Sequence, residues 1–274
     1  MIRLNYKRPT ELTNVSRTKL IIHPTCISSY NIVKTLAGRD LLGEINIIVA
    51  ETPFDVVRYG VWSVPLLVVD EKPVAADPLT PEEVEAVLSH REIPVKNPVE
   101  AFKDTIIHSG YLSSIVGLWG SIDPVLTREI VSIALRAPLT KIDVDNALRE
   151  ISEKKNDVYR ELLDVIHRTL AVGFTRELLW ASRGELSEEV LVKTINPLVV
   201  KTWLIAKASI GRIGLPGKPW GVSSRIEELI VEFIEKGARG ILNKVKKEYE
   251  TLKNDSEYWE ILERIRVRSG AAGI

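Results

Sequence analysis

The run Leu20-Ile21-Ile22-His23-Pro24-Thr25-Cys26 limits what this chain can become more than any other stretch. Its β-branched start suits a buried strand, proline and threonine turn the chain, and helical apolar spacing begins after Cys26. The reading is a strand at Thr18–His23 and a helix from Ile27 to Ala37, stopped by Gly38. A second strand is expected at Ile45–Ala50 and a short helix at Phe54–Tyr59. Strands three and four, Leu66–Asp70 and Pro73–Ala76, turn through Asp70-Glu71-Lys72. Thr80 then caps a helix, with Pro81 in its first turn and Glu83 completing a capping box. A helical crossover makes its flanking strands parallel, whereas the short turn makes the last pair antiparallel. Residues 1–92 are therefore expected to form an α/β domain with a four-stranded mixed sheet, the polar residues 1–16 reading either as an extended arm on it or as a partly disordered segment.

Pro94 and Pro98 mark a linker, and residues 93–274 read as an all-α domain. Apolar periodicity predicts helices over 98–118, 124–136, 141–153, 157–183, 188–211, 224–253 and 256–267. Thr140 with Asp143 and Ser224 with Glu227 have capping-box spacing, and Ser187 precedes Glu188-Glu189. The 188–211 segment is apolar nearly all round, as in the centre of a bundle, with a kink expected near Thr194 because of Pro197. The Gly211–Gly221 loop reads as a helix connection pinned by Trp220, or as a lid over a site.

Charge narrows the partners. With 37 basic and 37 acidic residues, no excess of positive charge suggests nucleic acid. No apolar run has the length of a signal peptide or a membrane span, so a soluble cytoplasmic protein with no membrane partner is expected. One cysteine excludes an internal disulfide. The chain has no glutamine and one methionine, a bias common in heat-adapted proteins.

Cys26 is the leading candidate for chemistry. Unpaired N–H groups at a helix start stabilise a thiolate, so a lowered pKa and a sulfur near the surface are expected, against the alternative of a buried structural cysteine. The four histidines have no metal spacing among themselves or with Cys26, and no metal or cofactor is implied. There is no phosphate loop, serine elbow or dinucleotide fingerprint.

His23-Pro24-Thr25-Cys26-Ile27-Ser28-Ser29 resembles the Cys-x-x-Cys or Cys-x-x-Ser turn of the thioredoxin and glutaredoxin superfamily. Tyr59-Gly60-Val61-Trp62-Ser63-Val64-Pro65 is similar to the segment leading into that superfamily's cis-proline. The resemblance covers residues 17–90. It implies that Pro65 is cis against Cys26, that the Val64 backbone pairs with a thiol or peptide substrate, and that Thr25 belongs to the substrate surface. It departs from the dithiol pattern at Ser29, which stands where a second cysteine would resolve a mixed disulfide. Ser29 reads either as a hydrogen-bond donor to the sulfur or as an ordinary first-turn serine. Asp77 lies near the place where glutaredoxins and glutathione transferases hold the amino group of glutathione, without the paired glycines usual in glutaredoxins; it also suits a turn before Pro78.

The first expectation is monothiol redox or thiol-disulfide exchange, a thiol-disulfide oxidoreductase acting on a protein or small-molecule thiol or disulfide. Two alternatives stand beside it: a non-catalytic protein-binding module, and a two-domain enzyme resembling glutathione transferases.

Overall fold

Alternation along the first strand, β1 (Thr18–Ile22), organises the centre of the molecule. The computed structural model describes residues 17–52, 54–61, 63–94, 96–211 and 225–268. Leu20 and Ile22 enter one apolar cluster while Ile21 enters another, as expected when successive side chains leave opposite faces of a strand. The sheet has the order β2-β1-β3-β4, with β2 at Asn46–Val49, β3 at Leu66–Val69 and β4 at Lys72–Ala76. β1 pairs parallel with β2 and antiparallel with β3, and β3 pairs antiparallel with β4. The expected four-stranded mixed sheet is present.

Val69 pairs with Lys72, so the hairpin loop is Asp70-Glu71 alone. Both residues have positive φ, 49° and 61°, the backbone required by the turn that matches the twist of a two-residue hairpin.

Helices cover both faces. α1 (Ile27–Gly38) and α3 (Pro81–Leu88) pack on the face of Leu20, Ile22 and Leu67. α2 (Phe54–Val57) lies with Ile21, Leu66 and Val68 on the other. The helix-stop residue of α1 is Asp40, not Gly38. Asp40 has φ 57°, its N–H reaches the Ala37 oxygen at 3.1 Å, and the Leu41 N–H reaches the Leu36 oxygen at 2.9 Å, closing a Schellman motif. The Thr80–Glu83 capping box of α3 forms as expected, with Thr80 N to Glu83 Oε2 at 2.9 Å and Glu83 N to Thr80 Oγ1 at 3.2 Å.

Residues beyond the first ninety also help to cover both sheet faces. Tyr258, Ile261 and Leu262 of α13 (Ser256–Arg268) are buried in the Leu20 cluster. Ile133 of α6 (Arg128–Ala134) is buried in the Ile21 cluster. Each such side chain contributes roughly 1.5–3 kcal/mol, so the end of the chain is part of what holds the sheet.

The remaining helices are α4 (Pro98–His108), α5 (Gly110–Trp119), α7 (Ala137–Thr140), α8 (Val144–Glu153), α9 (Lys155–Ala181), α10 (Glu188–Thr194), α11 (Pro197–Gly211) and α12 (Ile226–Asn254). Several expected long helices are broken. The 98–118 segment splits at Ser109, whose hydroxyl accepts the Leu112 N–H at 3.3 Å and starts α5. The 124–136 segment is a 3-10 turn at Asp123–Val125 followed by α6, which Thr127 caps. In the 141–153 segment the cap is Asp143, which accepts from Asp145 N at 3.0 Å and Asn146 N at 3.1 Å. Thr140 instead donates to the Leu135 oxygen at 2.9 Å. The 188–211 segment divides between Thr194 and Pro197, a break rather than a kink, with Asn196 accepting the Val199 N–H at 3.0 Å. α11 is not central either, since Leu198 is 73% exposed while Val200, Leu204 and Ala208 are buried. The Ser187 cap of α10 is as expected, accepting the Val190 N–H at 3.2 Å. α9 and α12 pack along each other through the expected stripe of Ile230, Ile234, Ile241, Leu242 and Val245. The arm at 1–16, the loop at 212–221 and the Ser224 cap lie outside the described residues.

One buried ion pair ties α3 to the turn after α6. Arg136 Nε lies 3.0 Å from Glu83 Oε1, and both side chains are nearly removed from solvent. The guanidinium also donates to the Ala134 oxygen at 2.9 Å and to the Pro78 oxygen. These bonds supply the partners a buried charge requires.

Candidate functional site

The strand-to-helix junction is built by backbone hydrogen bonds. Cys26 N donates to the His23 oxygen at 3.1 Å, closing the turn through Pro24-Thr25, and Tyr30 N donates to the Cys26 oxygen at 2.9 Å, opening α1. Cys26 is thus the N-cap residue, with extended φ and ψ of −88° and 121°. The Thr25 N–H donates to His23 Nδ1 at 3.3 Å, so that nitrogen is the unprotonated one. From the far side, the Tyr258 hydroxyl donates to the Pro24 oxygen at 3.1 Å.

The Cys26 sulfur faces the loop before β3. Its S–H donates to the Val64 carbonyl oxygen at 3.6 Å, and the Val64–Pro65 peptide is cis. Pro65 is buried behind Val64, and its carbonyl accepts the Asp77 N–H at 3.0 Å. Ser29 is fully buried, and its oxygen accepts the His23 N–H at 3.2 Å.

The electrostatics overturn one expectation. Burial pushes the Cys26 thiol up, and the Asp77 charge pushes it further, against the lowering influence of the Ser29 and Ser28 N–H groups and the Ser29 hydroxyl. The residue keeps intermediate exposure, and desolvation by the surrounding packing is the largest influence on the thiol. A helix start does favour a thiolate, but desolvation of an anion is the larger effect here. Asp77 is also raised, first by burial, with the His108 charge, the Ser28 hydroxyl, the Leu79 N–H and Arg136 acting in the opposite direction. Burial and then Lys207 lower the His23 imidazole.

Thr25, Cys26, Val64 and Asp77 line one side of a cleft of about 940 Å³. Ser29 and Pro65 stand behind that surface rather than on it. The opposite wall comes from α4, α5, α9 and α12, and includes His108, Tyr111, Arg168, Trp180, Phe233 and Lys244. Sequence reasoning missed that wall. Its faint signal is the i, i+4 spacing of Arg168, Val172 and Arg176, and of Gly240, Lys244 and Glu248, which in a sequence looks like an ordinary solvated face.

Among the described residues no group of His, Cys, Asp and Glu could hold a metal ion, and no helix is long and apolar enough to cross a membrane. Comparison with protein-family models, curated proteins and solved structures found no match.

Proposed function

We propose that the chain is a thioredoxin-like protein that carries out monothiol thiol-disulfide exchange through Cys26. The observation that carries this reading is Cys26 lining the cleft at the start of α1, with its sulfur 3.6 Å from the Val64 oxygen. The strand order β2-β1-β3-β4 supports it.

At rest the sulfur is a thiol donating to Val64. On loss of its proton to water in the cleft, the Ser28 and Ser29 N–H groups and the Ser29 hydroxyl stabilise the thiolate. The thiolate attacks one sulfur of a disulfide R–S–S–R; a Cys26–S–S–R bond forms, the substrate S–S bond breaks, and R–S⁻ leaves and takes up a proton. With no second cysteine in the chain, an external thiol attacks the mixed disulfide, restores Cys26 and departs oxidised. A raised thiol pKa reduces the thiolate fraction at neutral pH but makes the thiolate present more nucleophilic.

Replacing Cys26 by Ser is expected to abolish thiol-dependent reduction of a small disulfide. Retention of the wild-type rate would assign the activity to another group.

A second reading, a transferase resembling glutathione transferases, is favoured by the cleft having a helical wall opposite Cys26. It is distinguished by a conjugating activity toward an electrophile that consumes a small thiol without forming a disulfide.

A further inference from the structure

Among the described residues, the helical wall of the cleft carries two cations without protein partners. Charges elsewhere on that wall are neutralised: Arg176 Nη2 lies 2.8 Å from Glu248 Oε2, and Glu177 is paired with Lys207 and accepts the Trp203 Nε1–H at 2.6 Å. Arg168 of α9 and Lys244 of α12 form no ion pair or hydrogen bond among the described residues, although both line the cleft. The Glu248 and Glu177 charges are already matched, so these two cations leave the wall with unbalanced positive charge.

A second observation lies beside them. Gly240 also lines the cleft, one turn before Lys244, and a Cβ placed there would meet nothing within 4 Å. Glycine inside a helix is about 1 kcal/mol less favourable than alanine. No neighbour demands its small size, so the position has room for a larger side chain. Val172, Trp180 and Phe233 supply apolar surface around them. A volume near 940 Å³ holds a small molecule spanning from this wall to Cys26.

We propose that Arg168 and Lys244 form an anion-recognition subsite that takes a carboxylate or phosphate group of a small disulfide or thiol whose sulfur reaches Cys26. The assignment of the sulfur end rests on the exchange reading above. The subsite itself rests on the wall.

The test compares two disulfide reagents, dianionic dithiobis(nitrobenzoate) and neutral dithiodipyridine. In each reaction the Cys26 sulfur is oxidised to a mixed disulfide and the reagent is reduced. One aromatic thiolate is released, as thione in the pyridine case, and the thiol proton passes to the buffer. The ratio of anionic to neutral rate is expected to fall roughly two- to fivefold in Arg168→Gln and in Lys244→Gln, the range of a partly exposed charge contact. Gly240→Glu, which adds a carboxylate to the wall, should lower the ratio further. Added salt should compress the ratio in the wild type and less in a variant combining Arg168→Gln with Lys244→Gln. An unchanged ratio in all three variants overturns the subsite.

If Cys26 reacts with neither reagent, the exchange reading fails and the subsite is decided by calorimetry. Cys26→Ser protein should then bind dithiobis(nitrobenzoate) more tightly than the same protein carrying Arg168→Gln and Lys244→Gln. Equal affinity, or no binding, overturns it. Inorganic phosphate and acetate as competitors separate the two anion chemistries, the better competitor naming the group the wall prefers.

Discussion

Tyr258 donates its hydroxyl to the carbonyl oxygen of Pro24 at 3.1 Å, so a residue near the end of the chain braces the turn that presents Cys26. The ring is fully buried and packs edge-on against Tyr30, with centroids 4.9 Å apart. Tyr30 in turn donates to Asp255 at 2.8 Å, and Lys34 lies 3.1 Å from the same carboxylate. α13 thus packs against the sheet, and the Asp255 that precedes it is tied to α1 by a polar chain.

Tyr258→Phe keeps the ring and removes the donor. A stability loss of about 1 kcal/mol is expected in urea, the usual net worth of such a bond. Because the turn is closed by Cys26 N to His23 O, hydrogen exchange at the Cys26 amide should also accelerate. Unchanged exchange would show that the brace does not reach the turn.

Asp77 pushes the Cys26 thiol upward through its charge. Asp77→Asn is therefore expected to lower the thiol pKa and to speed iodoacetamide alkylation at neutral pH. If Asp77 instead holds a substrate amino group, the same variant weakens binding of an amine-bearing thiol, so alkylation and binding read the two roles separately.

Arg136 and Glu83 should behave as a unit. Arg136→Ala leaves the Glu83 carboxylate buried without its cation and is expected to cost about 3–5 kcal/mol. The pair Glu83→Gln with Arg136→Met should cost less than the sum of the two single changes in a denaturant series. Additive losses would mean that the two side chains contribute independently.

His23 accepts the Thr25 N–H in its neutral form, and its folded pKa lies below the ordinary imidazole value. For a base with a lowered folded pKa, the stabilising contribution is complete above the unfolded value and is lost as pH falls through the folded one. Stability should therefore decline on acidification below about pH 6.5 more steeply in the wild type than in His23→Gln. Parallel curves for the two proteins would remove His23 from the account.

The order of strands and helices was legible because each boundary carries local chemistry: Pro24-Thr25 at the first turn, Asp70-Glu71 at the hairpin, Thr80 and Glu83 at the third helix. The helical part was less legible. Apolar periodicity runs unbroken through Ser109 and through Ile195, where a hydroxyl cap and a proline end one helix and begin another without disturbing the pattern. The site was half legible. Cys26, Thr25, Val64 and Asp77 announce themselves by turn and proline, whereas Arg168 and Lys244 acquire meaning only when α9 and α12 are folded against the sheet. The direction of the Cys26 shift was also hidden, since helix position is local but desolvation depends on everything packed above the sulfur.

The most direct measurement is the intact mass of the protein, quenched with acid during turnover of a small disulfide and an excess of reducing thiol. The account expects a Cys26 mixed disulfide that forms faster as pH rises, disappears on adding more thiol, and is absent from Cys26→Ser. An unmodified protein throughout, with disulfide loss no faster than the uncatalysed rate, would contradict it.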